Sequence, residues 1–268
     1  MSLTWTEFRR ARRRSRQAWL ILAAAGLAVL AGVAWFFTAG QFAAAEPQTT
    51  GPREARVLGG GWMSAVVPVR AVPEESAAGL LDTLAVKGRS AGDTYDRSAF
   101  GQAWLDVDRN GCDTRNDILR RDLAAVEFVS GSRCQVAGGT FREPYTGRMI
   151  AFRRGAETSA AVQIDHVVAL GDAWQKGAQQ LTAYQREHLA NDPLNLIAVD
   201  GAANQDKSAS DAATWLPPNK AFRCHYVARQ ISVKAAYRLW VTPAEKEAMK
   251  RILASCPGQR TIVPQPVR

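Results

Sequence analysis

Nineteen consecutive residues, Trp19 to Phe37, carry no charge and are rich in Ala, Leu and Val, which sets them apart from any folded soluble domain. As a helix rising ~1.5 Å per residue this run is about 28 Å long, close to the roughly 30 Å hydrocarbon thickness of a bilayer. Residues 1–17 carry Arg9, Arg10, Arg12, Arg13, Arg14 and Arg16 against Glu7 alone, a net +5. Arginines ahead of an apolar span keep that end in the cytoplasm and place the rest of the chain outside it. The sequence therefore predicts a basic n-region over 1–17 and a transmembrane or signal helix over 18–38. Ala43-Ala44-Ala45 offers a cleavage site near Ala45. The apolar run is longer than the ~7 to 15 residues usual in a signal peptide, which favours a retained anchor. With either outcome the remainder is extracytoplasmic, and the membrane is a partner wherever the helix is kept.

This division changes the charge argument. Of the formal +9, the n-region accounts for +5, leaving +4 for everything else. The high pI reflects topology, so basicity by itself is weak evidence for nucleic acid. Cys112, Cys134, Cys224 and Cys256 all follow the span, in a compartment that permits disulfides. Three pairings are possible; Cys112 with Cys134 and Cys224 with Cys256 are favoured, because each closes a short loop within one segment. The absence of C-x-x-C, and the adjacency of Cys224 and His225, argue against a zinc site.

Residues 39–72 are a linker of Pro, Gly and small residues, 73–256 form one domain of ordinary size, and 257–268 form a loose tail. Helices are expected over Glu74 to Val86, after Asp113-Thr114-Arg115-Asn116, over Asp172 to Ala190, from Asn204, over Tyr226 to Leu239, and after the Thr242-Pro243-Ala244-Glu245 capping box. Strands are expected within Val126 to Phe152, over Ala161 to Val168 and over Leu194 to Val199. The expected class is α+β.

The chemistry is carried by Asp165-His166, then Asn195, then Asn204 with Lys207 three residues on. An imidazole takes a proton from water near neutral pH, and a carboxylate with a carboxamide oxygen suits Mg²⁺ or Mn²⁺. Only three histidines are present, His166, His188 and His225, and H-E-x-x-H is missing, which excludes zinc-peptidase chemistry.

The windows Ile164-Asp-His-Val-Val-Ala-Leu170, Asn191-Asp-Pro-Leu-Asn-Leu196 and Asn204-Gln-Asp-Lys-Ser208 resemble the HNH, or ββα-metal, endonuclease family, in the branch that forms the C-terminal domain of GmrSD-type restriction enzymes. Asn110-Gly-Cys-Asp-Thr-Arg-Asn116, Tyr145-Thr-Gly147, Trp215-Leu-Pro-Pro218 and Cys224-His-Tyr226 extend the similarity over about residues 75–256. The resemblance implies a ββα-metal core embedded in a mostly helical domain. It also implies roles: Asp165 and Asn204 as ligands of one divalent cation, His166 as the base that activates water, and Asn195 as the holder of the histidine-bearing strand and loop. Lys207, one turn from Asn204, is expected to meet a substrate phosphate or to lie on a solvated helix face. Asp113 and Arg115 are expected to provide helix capping and a surface ion pair, with support of the active-site face or substrate contact as the alternative. His188 and His225 are expected to be structural, and Trp104, Trp174 and Trp215 to lie in the core, with stacking of a base by one of them left open.

Two functions follow as expectations. One is an extracytoplasmic endonuclease of low sequence selectivity acting on DNA, with RNA left open as a substrate. The other is a membrane-tethered nucleic-acid-binding or scaffold module that keeps the fold without turnover. No protein partner is indicated.

Overall fold

The computed structural model describes residues 71–263. The n-region, the apolar helix, nearly all of the linker and the last five residues lie outside the described residues, where the anchor reading therefore rests. Among the described residues no helix is long and apolar enough to cross a membrane.

The architecture is α+β. Seven α-helices, α1 (Ala77–Thr83), α2 (Thr114–Asp122), α3 (Leu170–Gln175), α4 (Ala183–Asn191), α5 (Gly201–Lys207), α6 (Arg223–Ala236) and α7 (Pro243–Leu253), accompany two small sheets among the described residues. One sheet is the antiparallel meander β1 (Ala124–Phe128), β2 (Val136–Arg142) and β3 (Met149–Arg153). The other pairs β4 (Val162–His166) antiparallel with β5 (Leu196–Asp200), with Asp165 opposite Ile197 and His166 opposite Leu196.

The β4–β5 pair is a partition between two apolar cores. Val162, Ile164, Leu196 and Ala198 pack with Ile118 and Leu119 of α2 and with Phe141 and Phe152 of the meander. Ile197, Val199, Val167 and Val168 join the larger core built with α6 and α7. Burial on both faces explains why β5 reads as an unbroken apolar run rather than an alternating one. Gly201 starts α5 directly off β5, where a Cβ would stand 2.1 Å from the Ala160 carbonyl oxygen.

Local signals place most helix ends. Asp113 caps α2 by accepting from the Asn116 amide, and Thr242 with Glu245 forms the capping box of α7. The single helix expected over 172–190 is instead broken. Gly177 adopts φ 123°, a short 3-10 turn covers Ala178–Gln180, and Thr182 caps a new helix, α4. Helix α5 begins three residues before Asn204, because the Asp200 carboxylate caps it by accepting from the Ala203 amide. The tail is not loose over its described part: Ala77 donates to the Gln259 carbonyl, Thr261 to that of Glu75, and the Ile262 amide to Ser232 Oγ. Both favoured disulfides form, Cys112–Cys134 and Cys224–Cys256.

Beneath α3, α6 and α7 lies a buried ionic cluster. Lys176 Nζ is 2.6 Å from Asp172, 2.7 Å from Asp211 and 2.7 Å from Glu245. Lys234 Nζ is 3.3 Å from Asp172 and 2.9 Å from Glu245, and Arg89 reaches Asp211 at 2.7 Å. Asp172 Oδ1 and Glu245 Oε1 receive no well-angled hydrogen bond, so their stabilisation is Coulombic. Three cations balance three carboxylates, which is the condition for burying them at all. Lys176→Met leaves three carboxylates, two of them fully buried against one lysine, facing only Lys234 and Arg89. This excess of buried negative charge is expected to cost about 3–5 kcal/mol of stability in denaturant titrations. Burial opposes ionisation of Asp211, but Lys176 and Arg89 overcome it and hold its pKa at about 2 against an ordinary 3.8. Because the folded value is the lower one, the Tm deficit of Asp211→Asn relative to wild type is expected to be full above about pH 4 and to shrink as pH falls toward 2.

Candidate active site

Asp165, the penultimate residue of β4, is 5% exposed, with each carboxylate oxygen engaged. Tyr145 donates its hydroxyl to Oδ2 at 2.6 Å, and Lys207 donates Nζ to Oδ1 at 3.0 Å. Burial raises the Asp165 pKa, and Lys207 and Tyr145 work against that rise. Burial also raises the Tyr145 pKa well above its ordinary value, so the phenol remains a donor. Its ring is fixed by Trp215, Tyr226 and Phe222, at centroid distances of 5.1, 5.7 and 6.1 Å.

Lys207 is not on a solvated face. It is fully buried, and besides Asp165 it donates to the His166 carbonyl at 2.9 Å. Its two hydrogen bonds hold the Asp165-His166 pair from behind, rather than reaching outward toward a phosphate.

The His166 ring lies 2.8 Å from the Ala190 carbonyl through Nε2. A carbonyl only accepts, so Nε2 carries the hydrogen and Nδ1 is left with its lone pair. Burial lowers the imidazole pKa from 6.5 to about 4, which makes the ring neutral at ordinary pH. It is 8% exposed and borders two cavities.

Asn195 belongs to the turn between α4 and β5 and is fully buried. Its Oδ1 accepts from the Val168 amide at 2.9 Å, and its Nδ2 donates to the carbonyls of Val168 and Leu189 at 3.3 and 3.2 Å. These bonds tie the segment after His166 to the end of α4. The turn is itself clamped: Arg229 donates to the carbonyls of Pro193, Leu194 and Leu196, and Arg121 to those of Pro193 and Leu196.

Asn204, in the middle of α5, donates Nδ2 to Gln163 Oε1 at 2.9 Å. Its Oδ1 takes no hydrogen bond among the described residues. Asp165, His166 and Asn204 line one cavity of about 270 Å³ together with Tyr95, Arg97 and Ser208. The structure thus gathers Asp165, His166 and Asn204 at one opening, with Asn195 and Lys207 behind them. The four cysteines lie elsewhere, in the two disulfides.

Among the described residues no three His, Cys, Asp or Glu side chains converge to hold a metal. One carboxylate and one free carboxamide oxygen nevertheless fit Mg²⁺, which keeps several waters and uses one or two carboxylates plus substrate oxygens. A carboxylate has about four lone-pair sites, so the bonds from Tyr145 and Lys207 do not exhaust Asp165.

Sequence reasoning gave no role to Tyr145, Gln163, Arg97 or the Ala190 carbonyl. Tyr145 stood within a quoted motif, but nothing local aims it at Asp165, twenty positions on. Asp113 caps its helix as expected, while Arg115 stands 5.9 Å from the Trp104 ring centroid. His225 is partly buried, and burial lowers its pKa to about 4.

A protein of Arthroderma benhamiae described as an uncharacterized secreted protein is 39% identical over 189 residues, spanning 69% of this chain and 87% of the relative. No solved structure matches the chain. The family described as GmrSD restriction endonucleases, C-terminal domain, matches residues 113–252, and the chain belongs to that family.

Proposed function

We propose that this protein is an extracytoplasmic, metal-dependent endonuclease that hydrolyses phosphodiester bonds of DNA, with β4, β5 and α5 as its ββα-metal core. The observation that carries the reading is a single opening edged by a neutral imidazole with a free Nδ1, a buried carboxylate and an unused carboxamide oxygen. Membership in a restriction-endonuclease domain family supports the reaction class. The two disulfides and the relative's description as secreted support the compartment.

In this reading Nδ1 of His166 accepts a proton from the attacking water while Nε2 stays anchored on Ala190, so the ring has one orientation in which to work. Asp165 and Asn204 would hold the divalent cation, which when bound neutralises charge on the scissile phosphate and the departing oxygen. Lys207 and Tyr145 are positioning residues: they hold both carboxylate oxygens of Asp165 and favour its charged form against burial. Asn195 fixes the backbone just beyond His166. No side chain reading a base edge is needed for this chemistry, in keeping with low sequence selectivity.

Incubated with plasmid and Mg²⁺, the full chain is expected to nick and degrade the DNA, and EDTA is expected to stop it. His166→Ala should lower kcat by about 10²–10⁴-fold. A His166→Ala protein that digests at the wild-type rate would remove the base from this scheme. A wild type that shifts DNA in a gel without cutting it would instead favour a binding module. Independently of turnover, Mn²⁺ is expected to raise the wild-type Tm and to leave that of Asn204→Ala unchanged. Asn195→Ala strands the buried Val168 amide and is expected to cost about 1–3 kcal/mol of stability, read by denaturant titration, together with a fall in kcat.

A further inference from the structure

His166 stands between two cavities, and the hydrolysis described above uses only one. The other, about 270 Å³, is bounded by Arg97, Phe100, Trp104, Leu170 and Ala190. Its volume falls just below the ~300–1,000 Å³ of sites for drug-sized ligands, which suits one planar ring system rather than two. Aromatic and aliphatic walls suit a ring as well, because every nucleobase has a π-face that stacks on an aromatic side chain.

Two features at its edge point to the same ligand. Arg97 borders both cavities, is exposed, and makes no ion pair or side-chain hydrogen bond among the described residues. Among the residues lining the apolar cavity it alone carries a full charge; the nearby Glu187 carboxylate is engaged by the Gln102 amide. Trp104 adopts φ 60°, a region that bulky residues rarely enter, with the Arg115 guanidinium 5.9 Å from its ring centroid. The indole is half-buried, with one side packed against the core of α2, the meander and the β4–β5 pair and the other at the cavity.

We propose that this cavity receives one unstacked base of the substrate strand, lying against Trp104, while Arg97 holds the phosphate between that nucleotide and the neighbouring one at the scissile bond. The proposal rests on the nuclease reading, since it takes His166 as the boundary between base and scissile bond. A base still paired and stacked in a duplex cannot enter such a pocket, so the strand is unpaired where it is cut: single strands are preferred, and plasmid is nicked where its supercoiled duplex opens.

The test uses the full chain with Mg²⁺ and labelled single-stranded oligonucleotides in which one abasic residue is moved along the sequence. Wild type is expected to lose about tenfold in kcat/KM when the abasic residue falls at one position beside the cut. Trp104→Ala should lose the same factor on the intact strand and nothing further on the abasic one. Trp104→Phe, which keeps a ring and guards against misfolding of the alanine variant, should retain most of the activity. Arg97→Ala should flatten the salt dependence of KM by about one phosphate contact. A wild-type abasic scan with no sensitive position overturns the proposal, as does a folded Trp104→Ala with unchanged kcat/KM. If wild type cuts no strand, it is the nuclease reading that fails. The pocket is then decided by calorimetric binding of a nucleoside 5′-monophosphate: weaker binding to Trp104→Ala sustains it, and equal or absent binding overturns it.

Discussion

The site depends on a carboxylate placed where water hardly reaches. Burying Asp165 near the end of β4 disfavours its charge, and the ammonium of Lys207 and the phenol of Tyr145 are the two side chains that work against that cost. Those two partners come from different parts of the fold, the last residue of α5 and the turn after β2. One buried charge therefore fixes the meander, the β4–β5 pair and the helix against one another. Lys207 extends the arrangement to the His166 backbone, so the imidazole-bearing residue and the carboxylate are set by the same cation.

Two further groups of buried charges work in the same manner. Lys176 and Lys234 join α3, α6 and the first turn of α7 through Asp172, Asp211 and Glu245. Arg229 and Arg121 collect the carbonyls of the turn that presents Asn195. Burial lowers the Arg229 pKa to about 10, still far above neutrality. Such interactions add little net stability over apolar packing, but they are unforgiving about position, because a displaced partner leaves a charge uncompensated. A loop that carries chemistry gains from that intolerance.

How much of this the chain discloses as a string of letters depends on distance along it. Asp113 and Thr242 act on amides three residues away, so their helix starts were legible, and each disulfide closes a loop short enough to suggest its pairing. The order Asp165-His166, Asn195, Asn204 was legible through resemblance, not through spacing. Lys207 was expected to reach a phosphate or solvent, and its burial went unread because a short polar helix has no apolar stripe to show which side is buried. Glu245 lies 69 positions from Lys176, and their pairing leaves no local trace. The break at Gly177 was missed because the apolar spacing of 172–190 continues across it, while the backbone requires a φ that glycine tolerates.

The group that orients the His166 ring is the main-chain oxygen at position 190, present whichever amino acid is encoded there. No single codon change can delete that acceptor; it is lost only if the last turn of α4 shifts bodily. Evolutionary drift in side chains around the imidazole can therefore alter what the cavity accepts while leaving the ring's tautomer intact, so the imidazole and its neighbourhood are free to diversify at separate rates.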